Sequence, residues 1–144
     1  MADTSQIAPE LLAGLEFFPD LDFSRGMAPF REMAQVRPPL PVPPGLEVVE
    51  LSTRMIPGAP GDPEVKVVIF TPPGSPSGPR PAVLHIHGGG YVIGDAESFS
   101  GLCRVNALKH DCLVVSVDYR LAPETTWPGS LQDCYAALRW LHAD

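Results

Sequence analysis

The run Ala82-Val83-Leu84-His85-Ile86-His87-Gly88-Gly89-Gly90-Tyr91 decides how this chain is read. Its aliphatic, β-branched first half, bounded by Pro81, predicts a buried strand. Three consecutive glycines then end that strand, since they have no side chain to pack and lose much backbone entropy on ordering. Backbone N–H groups at such a point are unobstructed by any Cβ and can meet a ligand oxygen, as in an oxyanion hole. Other readings compete with this one. His85 and His87 have the spacing of two metal ligands on one strand face, but no third ligand stands nearer than Asp95. Gly88 and Gly90 open a Gly-x-Gly-x-x-Gly pattern, yet Ile93 occupies its third position and Gly94 comes one residue late. A turn that needs glycine for conformation alone is the plainest alternative.

Outward from this run the pattern is that of alternating strands and helices. Glu97–His110 reads as a helix, Asp111 as a turn, and Cys112–Val117 as a second apolar strand ending at Asp118. Strand, helix and strand over residues 82–118 form a βαβ unit, which requires parallel strands and a right-handed crossover. Ser130–His142 predicts a further helix carrying Leu131, Cys134, Tyr135, Leu138 and Leu141. Upstream, Leu46–Ile56 (with one wet face) and Glu64–Thr71 predict an antiparallel pair at the sheet edge, joined by the loop Pro57–Asp62. Pro38, Pro39, Pro41, Pro43 and Pro44 mark one linker, and Pro72, Pro73, Pro76, Pro79 and Pro81 another. Residues 6–18 predict a short amphipathic helix with Pro9 in its first turn. A second helix is expected from near Asp22, with Phe23, Met27, Phe30 and Met33 on one face and Pro29 interrupting it. That face either packs on the main domain or lines a substrate entrance.

The 144 residues suffice for one domain with a real core, and an apolar fraction of 44% excludes wholesale disorder. Ten Lys and Arg against 17 Asp and Glu leave a net charge of −7, which argues against nucleic acid or anionic membranes as partners. Cys103, Cys112 and Cys134 are odd in number and lack CxxC spacing, as reduced thiols in a cytoplasmic protein would be. No secretory signal pattern opens the chain. No stretch approaches about 18 consecutive apolar residues, so no membrane-spanning helix is expected.

The second informative stretch is Asp118-Tyr119-Arg120-Leu121-Ala122-Pro123-Glu124, continued by Thr125-Thr126-Trp127-Pro128. A strand end followed by two X-Pro bonds predicts an ordered loop at the site face of a parallel sheet. Arg120 with Asp118, Glu124 or Asp133 would make a bidentate pair that fixes it. On these residues the chain resembles the hormone-sensitive-lipase-like family of carboxylesterases, within the α/β-hydrolase fold. His87-Gly88-Gly89-Gly90-Tyr91, then Gly94-Asp95, then Asp118 to Glu124 match the family signature in order and spacing. Trp127-Pro128 stands where the family has Phe-Pro, and Asp133 matches the acidic residue that follows. The glycine motif alone is moderately specific; with the second motif about 30 residues later it is highly specific. The resemblance covers residues 82–142, and the two N-terminal helices look like the family's cap.

The resemblance implies the N-terminal portion of a mostly parallel sheet flanked by helices, with a helical cap. Residues 1–44 would be cap and proline-rich linker, and 45–144 the incomplete core. It implies hydrolysis of short- to medium-chain acyl esters through a serine nucleophile and a Ser–His–Asp triad. Gly88, Gly89 and Gly90 would form the oxyanion hole, with Gly88 shaping the turn and Gly89 and Gly90 donating their N–H groups. Tyr91, Phe17, Phe18, Phe23 and Phe30 would line the pocket, while His87, Asp118, Arg120, Glu124 and Asp133 would support the loops. No cofactor or metal is implied; the partner is a small-molecule ester, and a homodimer through an edge strand is known among relatives. The chain departs from the family in holding no Gly-x-Ser-x-Gly elbow; Gly74-Ser75-Pro76-Ser77-Gly78 has the wrong spacing. The triad is therefore expected beyond Asp144, in a companion segment that completes the sheet. A non-catalytic module of the same fold is the alternative, and esters are not distinguished from amides, carbamates or lactones.

Overall fold

Residues 5–14, 24, 26–35, 42–74 and 78–143 are described by the computed structural model. Its central constraint is strand β2, Val65–Thr71, whose side chains alternate between two apolar layers. Val65, Val67 and Ile69 enter one cluster, while Val68 and Phe70 enter the other, as the period-two backbone dictates. A strand apolar on both faces must lie inside a sheet covered on both sides. β2 accordingly sits between β1 (Glu50–Ile56) and β4 (Leu113–Asp118), in a sheet of order β1-β2-β4-β3, where β3 is Ala82–Ile86.

β1 pairs with β2 antiparallel, from Glu50 opposite Thr71 to Ile56 opposite Val65. β2 also pairs antiparallel with β4, placing Val67 opposite Val117. β3 and β4 are parallel, with His85 opposite Ser116. Between them runs helix α3, Ser100–His110, so the expected βαβ unit is present. Helix α4, Gly129–Ala143, follows β4. α3 covers one face of the sheet with Cys103 and Ala107 against Val68, Phe70 and Val114. α4 covers the other with Cys134 and Ala137 beside Val67, Ile69, Val115 and Val117. Burying each Val, Ile or Phe side chain fully stabilises the fold by roughly 1.5–3 kcal/mol. Cys103, Cys112 and Cys134 are buried and free, and burial pushes the Cys103 and Cys134 thiols up to about 11.

Several expectations need correction. The expected antiparallel β1–β2 pair is present, but β2 also pairs antiparallel with β4, so these four strands form a mixed sheet with one parallel ladder rather than a mostly parallel one. The first strand starts at Glu50, since Leu46 and Val49 are taken into turns by bonds to Pro43 O and Leu46 O. Its wet face becomes nearly the whole strand: only Ile56 of β1 is buried, as suits an outer strand. β3 is less buried than its composition predicts; Val83 and Ile86 are 44% and 51% exposed, with no strand beyond them among the described residues. α3 begins at Ser100, three residues later than expected, after a turn in which Asp95 Oδ1 accepts from the Glu97 and Ser98 N–H groups. It ends at Asp111 in the left-handed region, φ +45°.

Of the N-terminal helices, α1 spans only Pro9–Leu12, with Pro9 in the first turn. α2 spans Ala28–Gln35 and does not include Asp22. Pro29 causes no break because it falls in the first turn, where a missing N–H is harmless. No helix among the described residues is long and apolar enough to cross a membrane.

Candidate active site

The glycine turn leaves the C-terminal end of β3. The Val92 and Ile93 N–H groups both donate to Gly89 O, each at 3.1 Å, folding the chain back on itself. Gly89 takes φ +132°, and a Cβ there would lie 2.0 Å from Ile93 O, so this position admits only glycine. A Cβ on Gly90, at φ +60°, would meet only Val92 Cγ2 at 4.0 Å, and one on Gly88 would make an ordinary 3.7 Å contact with Phe99. Gly89 and Gly90, not Gly88, therefore carry the conformational demand of the turn. Among the described residues the Gly89 and Gly90 N–H groups meet no acceptor. Tyr91 follows at φ +64° and is 61% exposed. The Ala122 N–H donates to its carbonyl at 2.8 Å, which holds a conformation that a bulky residue rarely adopts.

Beneath the turn stands a stacked pair. The rings of His87 and Tyr119 lie 4.2 Å apart and nearly parallel. Tyr119 OH donates to His87 O at 2.7 Å, and burial raises the phenol pKa, keeping it a donor. The His87 ring is buried, with Nδ1 2.9 Å from Gly88 O. That carbonyl can only accept, so Nδ1 carries the hydrogen. Gly94 is required here for space, because a Cβ would sit 2.7 Å from His87 Nδ1.

The loop after β4 is held by Arg120 and Arg31, and the end of β4 by Lys66. Arg120 meets Asp133, 1% exposed, through Nε and a terminal nitrogen at 2.9 and 2.8 Å, while the Arg120 N–H donates to the same carboxylate at 2.9 Å. Asp62, from the β1–β2 loop, adds a second carboxylate at 3.2 Å. Both acids hold the guanidinium charged, raising its pKa, Asp133 first. Of the three partners expected for Arg120, only Asp133 is one. Asp118 instead binds Lys66 Nζ at 3.0 Å and accepts the Ala96 N–H at 3.1 Å. The hydrogen bond to Asp118 is the main cause of a raised Lys66 pKa. Glu124 binds Arg31 at 2.6 Å, and that bond is the first cause of its lowered pKa.

Arg31, Asp62 and Lys66 were not legible as partners, because each is paired across a long sequence separation with no local pattern. His85 bonds Ser116 through Nδ1 at 3.1 Å and lies against Phe99, so it takes partners separate from those of His87. Phe17, Phe18 and Phe23 lie outside the described residues, and Phe30 falls within α2. A cleft of about 440 Å³ is lined by Gly26, Met27, Arg31, Glu32, Pro123 and Glu124, and Gly88, Gly89 and Gly90 do not border it.

A sheet with this helix arrangement is that of the α/β-hydrolase fold, and residues 83–144 match a family of that fold. The chain is 41% identical over 137 residues to Esterase LipI of Mycobacterium tuberculosis, covering 94% of this chain and 41% of the relative. It is 38% identical over 100 residues to Carboxylic ester hydrolase LipN of the same organism, covering 69% of this chain and 26% of that protein. A solved structure titled Bacterial Heroin Esterase superposes with a TM-score of 0.81 at 42% identity, covering 94% of this chain and 43% of that one. Over residues 83–144 the chain has the α/β-hydrolase fold, and it is similar to esterases and carboxylesterases along the part of their length that it spans. It spans about two fifths of the length of LipI and of the heroin esterase.

Proposed function

We propose that this chain is the carbonyl-binding part of a carboxylic ester hydrolase acting on short- to medium-chain acyl esters. The observation that carries the reading is the Gly89–Gly90 turn at the end of β3, with two N–H groups that meet no acceptor among the described residues. Such donors act on charge that develops on the carbonyl oxygen as the tetrahedral intermediate forms. Removing one typically costs roughly 10²–10³ in rate. The names of the relatives, an esterase and a carboxylic ester hydrolase, support the reaction class. His87, Tyr119, Asp118, Arg120, Glu124 and Asp133 serve by holding the two loops, and Tyr91, exposed beside the turn, borders the acyl or alcohol group.

The nucleophile, its histidine and its acid lie in a companion segment in this reading. That segment adds a third donor after the nucleophile and covers the outer edge of β3. Exposed Val83 and Ile86, with Leu102 and Val105 on α3 and Leu131, Tyr135 and Leu138 on α4, support the presence of such a cover. Residues 1–44 then act as cap and linker and 45–144 as the partial core, working in the cytoplasm with three reduced thiols.

The test combines intact mass under denaturing conditions, a p-nitrophenyl butyrate assay and labelling with a fluorophosphonate. The expected result is hydrolysis in preparations that contain further polypeptide, with the label on a serine outside residues 1–144. Label on a serine of this chain would refute the companion triad. No hydrolysis with the companion present would refute the esterase reading.

A further inference from the structure

Arg31 is the point where the N-terminal helix α2 grips the glycine turn. Its guanidinium has three acceptors, none of them on α2. Nε donates to Val92 O at 2.8 Å, one terminal nitrogen to Glu124 Oε1 at 2.6 Å, and the other to Ala122 O. The side chain is 21% exposed, against 64% for Glu124, so the carbonyl contacts are the sheltered ones. Val92 N–H closes the turn onto Gly89 O, and Val92 O receives Arg31; the same peptide segment is held from both sides. Ala122 does the same from the other loop, since its N–H donates to Tyr91 O while its carbonyl accepts from Arg31. One cation thus joins α2, the residues that close the glycine turn, and the loop after β4. A planar, five-donor guanidinium can satisfy such a divergent set; an ammonium, a point charge, cannot do so in one geometry.

We propose that Arg31 is a positioning residue that couples the seating of α2 to the geometry of the Gly89 and Gly90 donors. With α2 seated, Tyr91 and Val92 are pinned and the donors are preorganised; with α2 displaced, the turn loses two of its outer restraints. The coupling is a property of this chain, and only its effect on turnover rests on the esterase reading above.

The test compares Arg31→Met and Arg31→Lys with the parent in the intact protein, by amide hydrogen exchange and by p-nitrophenyl acetate kinetics. Arg31→Met removes charge-assisted hydrogen bonds. Exchange at residues 89–94 should accelerate about 10- to 100-fold while the α4 amides are unchanged. kcat should fall by a similar factor of roughly 10–100 with KM changed less, because the loss falls on charge that develops in the transition state. Arg31→Lys should recover part of both effects. If Arg31→Met also accelerates α4 exchange, the fold itself has loosened. Arg31→Lys, which keeps the charge but reaches only part of the acceptor set, then decides by a smaller acceleration confined to 89–94 and 120–124. Unchanged exchange at 89–94 in Arg31→Met, or in Arg31→Lys where that variant decides, overturns the coupling. A parent protein that hydrolyses no ester but shows the exchange effect refutes the esterase reading and leaves the coupling standing.

Discussion

Alanine placed in turn at Gly88, Gly89 and Gly90 should give three different results, although the residues are identical and adjacent. At Gly88 the added methyl would meet only the Phe99 ring edge, at 3.7 Å, and the backbone is not left-handed. Stability should hold or rise by roughly 0.4–1 kcal/mol, since alanine restricts the unfolded chain more than glycine. At Gly90, φ +60° with only an ordinary 4.0 Å contact to Val92, the cost is conformational alone, about 1–2 kcal/mol. At Gly89 the methyl would collide with Ile93 O at 2.0 Å, and φ is +132°. Relieving the clash means moving Ile93 and breaking the N–H bonds that Val92 and Ile93 make to Gly89 O. Strain and the two lost bonds together cost about 2–6 kcal/mol. The assay is urea unfolding; at an m-value near 2 kcal/mol/M the Gly89→Ala midpoint should fall by about 1–3 M. A Gly89→Ala variant within about 0.5 kcal/mol of Gly88→Ala, the usual bound for substitutions without a structural mechanism, would refute the assignment of the turn to Gly89.

Asp133→Ala should cost about 1–3 kcal/mol, because it removes the main partner of Arg120 and leaves the Arg120 N–H unpaired, while Asp62 still holds the guanidinium. Thermal unfolding checks this, with partial recovery in the Arg120→Met/Asp133→Ala double variant; a loss below about 1 kcal/mol, the range of exposed pairs, would contradict it. His85 should make stability pH-dependent. Burial, and then the neighbouring His87, lower its pKa, so the folded chain binds that proton less readily than the unfolded one. The stability present above about pH 6.5 should therefore fall as pH drops below it, toward the folded-state value. Urea midpoints measured from pH 7.5 to 5 should show a smaller decline in His85→Gln, and an identical decline would count against His85.

The parts of the fold read correctly from sequence are those set by short-range pattern. The apolar runs before Gly88 and before Asp118, with a helical period between them, define β3–α3–β4 without further information. The pairing of β2 against β4 is different. It depends on which of two apolar faces finds which helix, and Val65–Thr71 alone reads equally well as a half-wet edge strand. At the site, the glycines announce a special backbone but not which of them needs it. That depends on Ile93 O, four residues past Gly89, and on a φ that no composition encodes. Arg120 and Asp133 are close enough in sequence to be paired by inspection. Arg31 lies 91 residues from Ala122, so its role emerges only when α2 is packed. The effect of Pro29 depends on where the helix begins, one residue before it, and the sequence pattern does not mark that boundary.

The sheet also partitions the interior into two compartments with no buried side chain in common. Val67 and Val68, joined by one peptide bond, belong to different compartments, whereas Val67 and Ala137, 70 residues apart in the chain, share one. Genetic interactions should follow the compartments and ignore the sequence. Two conservative changes on the α4 side should show epistasis, while a change on each side should combine independently even at neighbouring codons. Directed evolution of this chain can therefore treat its interior as two separate libraries, each searched without re-optimising the other.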